Sequence, residues 1–237
     1  MTIETTSTMI FEMKATSLAL PKYTLAQELW NAISHGLGAV LTLAGGFFLI
    51  WKAVDTGDVF AIISSAIWTF GNFIMFAMSC IYHALAPCKG KQVLRVMDHD
   101  FIFAAIMATY VPYCLVNLQH IPGTSFPWGW IILGIVWAGC ITGIVFNSIN
   151  LKRFEVLSIV LYIVLGSTIV GAFYPLYLSL NIWGVLLLLL GGIFYWIGAM
   201  LYGLGAKKSV WFHTVFHFAV LFGAISMYFS IYFYVLA

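Results

Sequence analysis

Six histidines and eight acidic residues carry most of the chemistry available to this 237-residue chain, and many fall at helical spacing. His213 and His217 are four residues apart, so on a helix they share one face, about 6 Å from each other. Two imidazoles placed this way can reach one metal ion, as in other His-x-x-x-His helices. Ser79 and His83 repeat the spacing, and Glu28, Asn31 and His35 fall at i, i+3, i+7 on one face. Three neutral imidazoles and a water make a tetrahedral zinc site with an open position. Zinc bound there would lower the pKa of its water to about 7 and polarise a carbonyl. Asp98 could orient that water or take its proton. Ser79 could hydrogen-bond the same water or a developing oxyanion. The competing reading makes the histidines hydrogen-bond donors between packed helices.

The remaining polar residues read differently. His35, with Glu28 and Asn31, reads as support behind the ligands or as helix packing. His99 follows Asp98 directly, points to another face and reads as interfacial; His120 reads as a solvated loop residue. Asp100 is the rival of Asp98 for any acid role. Cys80, one turn before His83, is a reserve ligand. Cys80, Cys88, Cys114 and Cys140 contain no CxxC and read as reduced thiols.

The elements that must position these residues are membrane spans. The chain is 63% hydrophobic and 8% charged, with a mean hydropathy of +1.03. Soluble domains are roughly 45–50% apolar and about 25% charged. So few charges exclude an ordinary soluble enzyme, and no basic face exists for nucleic acid. The apolar runs are continuous rather than alternating, which argues against an outer-membrane barrel. A spanning helix needs about 20 apolar residues. Seven segments qualify: Ile33–Lys52, Val59–Tyr82, His99–Leu118, Pro127–Asn147, Phe154–Pro175, Ile182–Gly203 and Val210–Val235. Residues 1–27 read as a short polar tail without a signal-peptide core, and 28–237 as one membrane domain.

Loop charges orient these spans. Lys14, Lys22, Lys89, Lys91, Arg95, Lys152, Arg153, Lys207 and Lys208 share one side if there are seven spans, and only Lys52 falls on the other. That bias makes the N-terminus cytoplasmic and the C-terminus external. It also brings His35, His83, Asp98, His213 and His217 to similar depth in the cytoplasmic leaflet, although the loop charges that fix the topology are independent of the histidines.

Glu28-x-x-Asn31-x-x-x-His35, Ser79-x-x-x-His83, Asp98 and His213-x-x-x-His217, in this order on seven spans, resemble the hemolysin III family. That family is the bacterial branch of the progestin and adipoQ receptor (PAQR) superfamily. The flanking words SHGLGA, SCIYHAL, RVMDHDFIF, ATYVPY and FHTVFH fit as well. The resemblance implies a seven-transmembrane helix bundle in the bacterial inner membrane. It implies Zn2+ on His83, His213 and His217, with Asp98 near the metal water and Ser79 beside it. Relatives include lipid hydrolases of ceramidase type and animal receptors. Asp100 departs from the pattern, standing where a small or weakly polar residue is expected.

Three functions follow as expectations. One is a zinc-dependent hydrolase of a lipid amide or ester with a role in membrane homeostasis. Another is a non-enzymatic sensor or homeostasis protein with structural zinc. The third is a lytic or pore-forming hemolysin, which the absence of charge at span centres disfavours. A retinal protein would need a mid-span lysine in the last helix, and Val210–Val235 has none. Reporter fusions at Lys89 and Ala237 test the topology: they should report opposite sides, and a shared side overturns the seven-span reading.

Overall fold

The computed structural model describes residues 20–119, 121, 123, 125–209 and 211–237, and leaves out the side chains of 206–208. Most of the expected polar tail, and His120, lie outside these residues. Every regular element among the described residues is helical. The main helices are α1 (Leu25–Thr56), α2 (Val59–Ala84), α3 (Lys89–Pro112), α4 (Trp128–Gly166), the short α5 (Phe173–Ser179), α6 (Ile182–Lys208) and α7 (Trp211–Ser230). Six helical stretches among the described residues are long and apolar enough to cross a membrane.

Local chemistry sets the boundaries. Thr24 and Gln27 form a reciprocal cap at the start of α1: the Thr24 hydroxyl accepts from Gln27 N at 3.3 Å, and Gln27 Oε1 accepts from Thr24 N at 2.8 Å. Gly57 ends the helix with φ of 69°, a left-handed conformation that suits glycine. Asp58 caps α2 by accepting from Phe60 N at 2.8 Å. Pro112 lies inside the end of α3, and a π-helical turn over Tyr113–Asn117 follows it directly. The 39 residues of α4 are interrupted at Asn150, whose φ of −161° and ψ of 92° are extended. Asn150 Oδ1 accepts from Arg153 N at 3.0 Å, so the asparagine caps the second limb as it breaks the first. At about 1.5 Å per residue α4 is nearly twice the hydrocarbon thickness of about 30 Å.

The helices turn their polar and small residues inward. On α1, Asn31, Ser34, His35, Gly38, Thr42 and Gly46 are buried, while Ile33, Leu37, Phe47, Phe48 and Trp51 face outward. Lipid chains are as apolar as leucine, so close packing and hydrogen bonds must hold such helices together. Small residues allow this approach: a Cβ at Gly71 would stand 2.3 Å from Ala108 Cβ, and one at Gly143 would stand 2.2 Å from the Phe103 ring. Hydrogen bonds then lock neighbours. Tyr110 Oη donates to Leu165 O at 2.7 Å and accepts from Ile169 N at 3.0 Å. Ser226 and Ser230 on α7 donate to Leu187 O and Gly184 O of α6, each at 2.8 Å. Neighbouring helices in the chain pack on one another, and α7 returns against α1.

The tight crossing of α2 and α3 is testable. Gly71→Ala should lower the thermal unfolding midpoint in detergent, with overpacking costing about 1–3 kcal/mol. Gly134→Ala should leave the midpoint unchanged or slightly raised, because beyond its own turn of helix no atom lies within 4 Å of the added methyl.

Candidate metal centre

One end of the bundle collects the polar residues of four helices. Glu28 lies in the first turn of α1 and His83 in the last turn of α2. Asp98 and His99 lie on α3, and His213 and His217 in the first two turns of α7. Relative exposure is 2% for His83, 9% for His213 and 1% for His217.

The three imidazoles converge. His83 Nε2 lies 3.3 Å from His213 Nε2, which lies 3.1 Å from His217 Nε2. One nitrogen from each of the three rings falls within 4.8 Å of the others. A tetrahedral ion with metal–nitrogen bonds of about 2.0–2.1 Å separates its ligands by about 3.3–3.4 Å. The donor set and the two short separations therefore fit zinc. Behind His83, Nδ1 donates to Glu28 Oε2 at 2.6 Å, which leaves Nε2 with its lone pair toward the cluster. Asn31 Nδ2 lies 3.5 Å from the same Nδ1.

His35 stands behind His217 rather than in the cluster. Its Nε2 donates to the His217 carbonyl at 3.3 Å, and the two rings lie 3.9 Å apart. Ser79, Asp98 and His213 line a small cavity of about 20 Å³, room for one water. Asp100 turns away, accepting from Ser148 on α4 at 3.2 Å. His99 corrects its interfacial reading: it is 7% exposed and lines the same cavity as Asp98. Its Nε2 lies 3.5 Å from Tyr202 Oη, so the partner is a ring on α6 and not the membrane surface. Cys80 faces Gly36 on α1 and stands outside the histidine group.

A second cavity of about 290 Å³ adjoins the first, sharing Met75, Ile102, Tyr162 and Phe216. It runs between the second limb of α4 and α6, and its lining includes the outward-facing Val170, Ile193 and Trp196. Its walls are almost wholly apolar.

Residues 23–228 match the family described as haemolysin-III related. The chain belongs to the hemolysin III family. The hemolysin-3 homolog of Bacillus subtilis (strain 168) is 36% identical over 212 residues, covering 90% of this chain and 96% of the relative. The hemolysin-3 of Bacillus cereus is 34% identical over 210 residues, covering 89% and 92%.

Two members of the site in this hemolysin III chain escape reasoning from spacing. Lys91 reads in the sequence as a loop charge, yet it is 3% exposed and its ammonium lies 2.6 Å from Glu28 Oε1. Tyr23, just ahead of α1, stacks on His213 with ring centroids 5.1 Å apart, and burial pushes its phenol up. Neither contact has a periodic signal: Tyr23 lies ahead of α1, and Lys91 sits in the first turn of α3, before its apolar run.

The two aspartates separate by experiment. Asp100→Ala and Ser148→Ala should each cost roughly 0.5–1 kcal/mol of stability. Their double variant should cost less than the sum, as for one shared hydrogen bond. Additive losses on detergent unfolding would show that the pair is not coupled.

Proposed function

We propose that this hemolysin III protein is a seven-span membrane protein that binds zinc near the cytoplasmic face and hydrolyses a lipid amide or ester bond. The convergence of the His83, His213 and His217 nitrogens, 3.1–3.3 Å apart along two edges, carries the reading. For the span count, the extended residue Asn150 supports two separate crossings by α4, matching the apolar segments Pro127–Asn147 and Phe154–Pro175. The lysines and arginines cluster at the histidine end, which supports its cytoplasmic placement.

His83, His213 and His217 would hold the ion, which supplies a Lewis acid that polarises a carbonyl and makes water a better nucleophile at neutral pH. The residues around it have separate tasks. Glu28 holds the His83 ring through Nδ1. The Asp98 carboxylate takes the proton that water gives up as its oxygen attacks the carbonyl carbon, and returns it to the leaving nitrogen or oxygen. Ser79 Oγ–H donates to the oxygen on which negative charge develops. The adjoining apolar cavity of about 290 Å³ accommodates an acyl chain, so a lipid is the substrate class the site favours. Its outward-facing wall supports entry from the bilayer rather than from water.

A structural zinc is the second reading. His83 and His213 are 130 residues apart, so an ion between them would tie distant helices together. Elemental analysis of detergent-purified protein comes first: about one zinc per chain is expected, lost in His217→Ala. Absence of zinc after loading would overturn the metal reading. A screen of lipid amides and esters then separates the two functions. Under the hydrolase reading Asp98→Asn retains zinc and loses roughly 100- to 10,000-fold in turnover. A zinc-loaded protein that cleaves no lipid leaves the structural reading standing.

A further inference from the structure

The side chain of Lys91 folds back from the first turn of α3 into the bundle. Its Nζ donates to Glu28 Oε1 at 2.6 Å and to Leu85 O at 2.8 Å, and lies 5.2 Å from the centre of the Tyr82 ring. A buried ammonium is costly unless it is paired and hydrogen-bonded, and here it is both. The two oxygens of Glu28 are divided: Oε1 serves Lys91 and Oε2 serves His83. Rotation of the carboxylate therefore breaks one charge-assisted bond or the other. The Glu28 side chain is 19% exposed, so water would compete for a carboxylate not held in this way.

We infer that Lys91 is a positioning residue for His83, acting through Glu28 to fix the ring that faces the histidine cluster. The inference rests on the zinc reading of that cluster. Lys91 touches no ligand itself. It orients the carboxylate, the carboxylate orients the imidazole, and the imidazole presents Nε2 toward His213. Partners behind a metal ligand typically set affinity by roughly 10- to 100-fold. A purely structural lysine would only tie the start of α3 to the end of α2 through Leu85.

The experiment measures zinc affinity of the purified full-length protein in detergent, by competition with a zinc-chelating dye. Thermal unfolding of the metal-free protein is followed in parallel. Lys91→Met keeps the apolar stem on Tyr82 and removes the charge; zinc should bind roughly 10- to 100-fold more weakly. Lys91→Arg should recover most of the loss. Lys91→Gln, which keeps an N–H for Leu85 O, should behave as the Met variant and replaces it if that variant does not fold. Glu28→Gln should lose a similar factor, and Glu28→Gln with Lys91→Met should bind no more weakly than Glu28→Gln alone. Wild-type affinity in Lys91→Met or Lys91→Gln, with only the metal-free midpoint lowered, overturns the inference and leaves the zinc reading intact. Multiplied losses in the double variant also overturn it. A wild-type protein that binds no zinc removes the zinc reading, and the inference with it.

Discussion

Three imidazole nitrogens held 3.1–3.3 Å apart along two edges, in a site almost closed to water, are the constraint from which the rest of this molecule follows. Neutral imidazoles placed this close need their protons assigned, because each ring has one donor and one acceptor. Glu28 makes that assignment for His83, and the His217 carbonyl makes it for His35. Each of these partners comes from a different helix from the ring it serves. The cluster therefore requires α1, α2 and α7 to meet at one end, with α3 supplying Asp98 and Lys91 to close the side.

Hydrocarbon gives no force that pushes leucine-rich helices together, so the meeting depends on close approach. Gly46 against Thr69, Gly71 against Ala108 and Gly143 against Phe103 leave no room for a methyl group. These crossings lie along the shafts of the helices, away from the histidines. They set the helix spacing that the histidine end inherits. Polar residues such as Tyr110 and Ser230 bond to backbone carbonyls of neighbouring helices, so the packing has direction as well as density.

What was legible in the sequence divides along the same physical line. The apolar helices were legible because a spanning helix needs a long apolar run, and shared faces were legible only where polar residues recur at helical spacing, as in Glu28, Asn31 and His35. The grouping of His83, His213 and Asp98 was an expectation from helical spacing and from the depth that loop charges imply, and the structure brings His83 and His213 within 3.3 Å. Asn150 was legible only as a gap between two apolar runs, and the structure makes it an extended residue inside a 39-residue helix. Lys91 and Tyr23 were not legible. A lysine in a connection counts as an orientation signal, and nothing in its neighbours says that its side chain turns inward. Adjacent positions such as Asp98 and His99 point to different faces of a helix, yet both line one cavity here because this helix end is surrounded on several sides.

The two cavities meet where polarity changes most steeply. The smaller is lined by Ser79, Asp98 and His213; the larger has almost no polar wall. A molecule spanning both must place a polar bond at the histidine end and an apolar chain between α4 and α6. Lipids have this division, with the amide or ester bond just below the headgroup. Under the proposed lipid reading, such a bond would lie beside Asp98 while the chain stays in the apolar cavity. A water-soluble amide gains nothing from the larger cavity and would lose its hydration on entering the smaller. The step in polarity between the two cavities is thus the feature that favours a lipid over a water-soluble amide in the proposed reading.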